Sequence, residues 1–99
     1  MADETIAILG GTGDLGTGLA IRWSKAGYKI VIGSRTLTKA QAAVADLKKI
    51  SPTTPAAAME NADAAAEGDI VVLTVPAEHQ ISTLETVKSG LLGKILIDV

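Results

Sequence analysis

The sequence predicts an α/β fold built on a doubly wound parallel sheet, and three observations predict it. Short apolar runs rich in β-branched residues alternate with stretches of helical periodicity along the chain. Gly10-Gly11, Gly27, Gly68 and Pro76 stand where these segments should stop. A glycine-rich turn, Gly11-Thr12-Gly13-Asp14-Leu15-Gly16, joins the first apolar run to the first helical stretch.

Each element has its own local reason. Thr5 to Leu9 is a continuous apolar run closed by two glycines, the pattern of a strand buried on both faces. Leu15 to Ala26 carries Leu15, Leu19, Trp23 and Ala26 at helical spacing, and Gly27 ends it. Lys29 to Gly33 is a second strand. Thr38 to Ile50 reads as a helix opened by a Thr38–Gln41 capping box, with Ala40, Val44 and Leu47 on one face. Two prolines make Ser51 to Pro55 a loop. Ala56 to Met59 reads as a short third strand and Asn61 to Glu67 as a short helix. Ile70 to Val75 is a fourth strand closed by Pro76. Ala77 to Ser89 follows as an amphipathic helix with Ile81, Leu84 and Val87 on one side, and Ile95 to Val99 is a fifth strand. With a glycine turn after the first strand, this alternation is that of a Rossmann-type sheet. The expected strand order is 3-2-1-4-5, with helices on both faces.

Composition bounds the function. The chain has 99 residues, enough for one domain. Its 47% hydrophobic content excludes a disordered chain. A net charge of -2 gives no basic field for nucleic acid or an anionic membrane. With no cysteine there is no disulfide, thiolate metal site or cysteine nucleophile. Asp63, Glu67 and Asp69 cluster without histidine and read as a solvated face rather than a metal site. The acidic start and strand-length apolar runs suit a cytoplasmic protein without membrane contact. Aromatics are only 2% and alanine is abundant, so the core is thin unless its elements pack closely. The final apolar run, Ile95 to Val99, reads as the edge strand of a longer protein's N-terminal piece. Such an edge predicts self-association into a homo-oligomer.

The glycine turn carries the chemistry. Gly11 allows the tight turn, Gly13 lets backbone approach a pyrophosphate, and Gly16 brings the helix close to the strand. The amides and dipole at the helix start then bind the anion. Asp14 reads either as a cofactor contact or as a first-turn acid complementing the dipole. No Lys-Ser or Lys-Thr follows at Walker spacing, which excludes a P-loop.

The end of the second strand chooses between dinucleotides. A site for NAD places an acid about 20 residues beyond the turn, on the ribose hydroxyls. Here the chain reads Gly33-Ser34-Arg35-Thr36, with no acid between Tyr28 and Lys39. A guanidinium grips a 2′-phosphate with a fork of donors, and a carboxylate would repel it. Ser34 adds a hydroxyl and Lys39 a second cation, so the expected cofactor is NADP(H).

Three blocks together, Ile8 to Gly16, Val31 to Arg35 and Val72 to Pro76, resemble the NADPH-dependent reductases of the deazaflavin coenzyme F420. The resemblance covers essentially the whole chain. It implies hydride transfer between NADP(H) and F420, or another small redox acceptor, with a smaller C-terminal domain helping to form the deazaflavin site. Thr12, Ser34, Arg35 and Lys39 match the family's 2′-phosphate contacts. Gly13, Asp14 and Leu15 match the pyrophosphate turn, acting through backbone amides. Val75 and Pro76 match the loop beside the ribose and nicotinamide, and Thr74 is counted with them as cofactor-binding. His79, the sole histidine, follows the fourth strand; it supplies a proton or hydrogen bond to the deazaflavin, or is simply an exposed first-turn residue. The alternatives are a non-catalytic NADP(H)-sensing module and the NADPH domain of a metalloreductase-type protein, whose glycine and Ser-Arg blocks look similar.

Overall fold

The computed structural model describes residues 4–10, 12–74, 83–85, 87 and 95–98. Five strands, β1 (Thr5–Leu9), β2 (Lys29–Ser34), β3 (Ala56–Glu60), β4 (Ile70–Leu73) and β5 (Ile95–Asp98), form one sheet of order β3-β2-β1-β4-β5. All four pairings are parallel, with Ala7 beside Val31 on one side and Val71 on the other. This is the expected order. It puts the end of β1 at the point where the chain's crossings reverse direction, the place where open α/β sheets bind ligands.

Three helices, α1 (Asp14–Lys25), α2 (Leu37–Ile50) and α3 (Asn61–Glu67), connect the first four strands. Alternate strand residues point to opposite faces. Ile6, Ile8, Ile30, Ile32 and Val72 pack with Ala20 of α1 and with Ala40, Val44 and Leu47 of α2. Ala7, Leu9, Val31, Val71 and Leu73 pack with Ala64 and Ala65 of α3 and with Val87. The apolar runs of β1, β2 and β4 are thus buried on both sides. The alanines that made the core look thin are the contact points: Ala20, Ala40, Ala64 and Ala65 are almost wholly buried.

Three sequence expectations are corrected. Leu15 is not on the core face of α1: it is 49% exposed, and the buried line is Gly16, Ala20 and Ser24. Small residues at i, i+4 and i+8 let the helix lie close to the sheet, and Leu19 and Trp23 flank them half-buried. The Thr38 capping box does not form. α2 begins one residue earlier, at Leu37, with Thr36 as N-cap and no side-chain cap bond, because the chain leaves β2 through a turn at Ser34. Asp69 is not merely solvated: its Oδ2 accepts the Thr5 amide at 2.9 Å.

Other boundaries stand close to expectation. Gly27 closes α1, with the Gly27 and Tyr28 amides donating to the Ser24 and Trp23 carbonyls. The third strand runs one residue longer, to Glu60. β4 ends at Leu73 where the sequence reading ran to Val75, and Thr74 follows it outside the strand; Val75, Pro76, Ile81 and Val99 lie outside the described residues. Leu84 and Val87 of the last expected helix pack on the sheet. Among the described residues no helix is long and apolar enough to cross a membrane.

Candidate functional site

In a parallel sheet every helix that follows a strand starts at the same edge. Here α1 and α2 both begin at the carboxyl-terminal edge of the sheet, and neither has a side-chain cap. Gly13 is the N-cap of α1, in extended backbone, and the first helical bond is Thr17 N–H to Gly13 O at 2.9 Å. The amides ahead of Thr17 therefore lie before the first rung of the helix ladder. A Cβ built on Gly13 would meet nothing within 4 Å, so the space before the helix is open. Asp14 is the first residue of α1, Leu15 is exposed in its first turn, and Gly16 is buried against the sheet.

A groove of about 360 Å³ runs between α1 and α2. Thr12, Thr17 and Lys39 line it, with Ala42, Ala43 and Asp46 further along α2. Lys39 lies in the first turn of α2, which holds no acidic residue. A cation there opposes the helix dipole. Asp46 lies two helical turns further on and pairs with Lys49 at 3.8 Å.

The structure brings Thr12 and Lys39 to one groove and sets Ser34 and Arg35 just ahead of α2. Ser34 is buried, and its Oγ accepts the Thr36 amide at 3.3 Å, fixing the turn on which Arg35 stands exposed. Thr74 lies elsewhere, beyond β4. Its amide and hydroxyl both donate to the Leu9 carbonyl, at 3.0 and 2.8 Å. Gly11, Val75, Pro76 and His79 lie outside the described residues.

Two residues at this edge escaped the sequence reading. Thr17 lines the groove and donates its hydroxyl to Gly13 O at 2.7 Å. Its i−4 relation to a loop carbonyl was a usable local signal. Asn61, buried at the start of α3, accepts the Gly10 amide on Oδ1 at 3.4 Å. Its partner is 51 residues away, so no local pattern announces it.

The chain is similar to known proteins along most of its length. The family described as NADP oxidoreductase, coenzyme F420-dependent, matches residues 5–99. An F420-dependent NADP reductase of Methanocaldococcus jannaschii is 47% identical over 98 residues, covering 95% of this chain and 44% of that protein. A reductase of the same name from Methanothermobacter marburgensis is 44% identical over 95 residues, covering 94% and 42%. The chain thus spans less than half the length of these relatives. Among solved structures, an imine reductase from Bacillus cereus superposes with a TM-score of 0.70 at 26% identity, over 96% of this chain and 31% of that one.

Proposed function

This chain belongs to the family of coenzyme F420-dependent NADP oxidoreductases, and on that premise we propose that it holds NADP(H) for hydride exchange with the deazaflavin F420. One observation carries the cofactor half. Two uncapped helix starts flank a groove that has Lys39 in the first turn of α2. An isolated cation at a helix start is unfavourable, and an anion bound beside it relieves the helix and the lysine together.

The residues fit both the pyrophosphate and the 2′-phosphate of the cofactor. The first-turn amides of α1, at Asp14, Leu15 and Gly16, would hold the pyrophosphate, and the open space at Gly13 admits it. Thr12, Ser34, Arg35 and Lys39 would hold the 2′-phosphate: the exposed guanidinium and ammonium supply charge, and the hydroxyls supply donors. Thr74, Val75 and Pro76 belong to the ribose and nicotinamide side.

When bound, NADPH supplies a hydride that the deazaflavin accepts. The chain's own part is to bind, orient and exclude water, since a transfer between two cofactors asks chiefly for fixed geometry. His79 offers a proton or hydrogen bond to the deazaflavin. Residues 1–99 act in this reading as the NADP-binding domain. In this reading the protein works in the cytoplasm. It assembles as a homo-oligomer, a reading supported by the β3 edge of the sheet.

Calorimetric titration with adenosine 2′,5′-bisphosphate and with adenosine 5′-phosphate tests the site. The expected result is clear binding of the bisphosphate and much weaker binding of the monophosphate. Equal affinity for both would remove the 2′-phosphate role.

A further inference from the structure

The Leu9–Gly10 peptide joins β1 to the glycine turn, and it is held from three elements at once. Its carbonyl accepts the Thr74 amide at 3.0 Å and the Thr74 hydroxyl at 2.8 Å. Its N–H donates to the Gly33 carbonyl at 3.0 Å and, as the longer branch of a three-centre bond, to Asn61 Oδ1 at 3.4 Å. The backbone bonds continue the pairing of β1 with β2 and β4. The two side-chain bonds are additions, one from beyond β4 and one from the start of α3. Gly10 itself has φ 73°, the left-handed region, so this peptide sets the direction in which the turn leaves the sheet. Gly13 N–H then donates back to Gly10 O at 3.4 Å, passing that direction to the N-cap of α1.

We infer that Asn61 and Thr74 are positioning residues that preorganise the dinucleotide turn by clamping the Leu9–Gly10 peptide from both sides. The inference rests on the reading of the site given above. It assigns Asn61 a role that no part of the sequence motif includes. It also changes the role of Thr74, whose hydroxyl proton is committed to Leu9 O and so does not donate to a ligand. A turn fixed before the ligand arrives loses less freedom on binding, which shows as affinity. The clamp acts on the turn shared by all dinucleotides and is blind to the 2′-phosphate.

The test compares Thr74→Val, Thr74→Ser and Asn61→Ala with the wild-type chain. NADPH and NADH binding are measured by calorimetry, and exchange of the Gly10 amide proton is measured by NMR without cofactor. T74V and N61A should weaken both dinucleotides by the same factor, about fivefold, the weight of one net hydrogen bond. The preference for NADPH stays unchanged, and Gly10 exchange accelerates in both variants. T74S, which keeps the hydroxyl, should restore wild-type affinity and protection. Variants that bind as wild type overturn the inference. So does weakened binding with Gly10 protection unchanged, which marks direct ligand contact, or a selective loss of NADPH. A wild-type chain that binds neither dinucleotide fails at the earlier step and overturns the reading of the site itself.

Discussion

Lys39, in the first turn of α2, lines the same groove as Thr12, on the turn ahead of α1. The two residues come from different crossovers and meet because both helices start at one edge of the sheet. In the reading proposed above, this cation and hydroxyl at two uncapped helix starts hold a phosphate.

Arg35 carries the 2′-phosphate selectivity in this account. Arg35→Ala should weaken NADPH about tenfold to a hundredfold, the range for lost charge-assisted hydrogen bonds. NADH binding should barely change. Calorimetry with both cofactors decides, and equal losses would refute the role.

Lys39 should separate binding from stability. Lys39→Ala removes a cation from a helix start, so the melting temperature of the free chain should rise slightly. NADPH affinity should fall, and its dependence on salt should become shallower. A fall in melting temperature together with unchanged affinity would make Lys39 an ordinary structural residue.

Gly13 has room for a side chain that the cofactor would need. Its φ of -82° suits alanine, and nothing lies within 4 Å of the added Cβ. Gly13→Ala should keep stability within about 1 kcal/mol in urea denaturation. It should also weaken NADPH and NADH alike. Undiminished binding of both would remove the pyrophosphate from this position.

Gly33 is the opposite case. Its Cβ would stand 2.9 Å from the Ala64 Cβ and 2.9 Å from Asn61 Oδ1. Gly33→Ala should cost about 1–3 kcal/mol by overpacking, read from the denaturation midpoint. It should also push Asn61 off the Gly10 amide. An unchanged midpoint would show that α3 moves aside freely.

The strand runs announced themselves because a strand buried on both faces has no polar alternation to blur it. Thr5 to Leu9 and the run from Ile70, read to Val75 and observed to Leu73, were legible for that reason, and the parallel order followed from the intervening helices. The face of α1 was misread because periodicity was counted on large residues. The helix turns its small ones inward, and Leu15 is left at the surface. The positions of Gly13, Arg35 and Lys39 at the two helix starts were legible from the glycine spacing and the strand–helix boundaries. Asn61 was not, since its role depends on a contact with Gly10 that only the folded sheet creates. The Thr38 capping box failed because a local pattern competed with the Ser34 turn, which starts the helix at Leu37.

The β3 edge of the sheet predicts association. Among the described residues β3, an alanine-rich strand, pairs with β2 alone. Sedimentation at several concentrations should show the weight-average mass rising with concentration. A monomer throughout would contradict the homo-oligomer.

In the proposed reading the two helix starts and the groove between them hold NADP(H). The decisive measurement is titration of the chain with NADPH and with NADH, followed by heat or fluorescence. Both should bind saturably, with NADPH clearly tighter. Equal affinity for the two, or binding of neither, would contradict that reading.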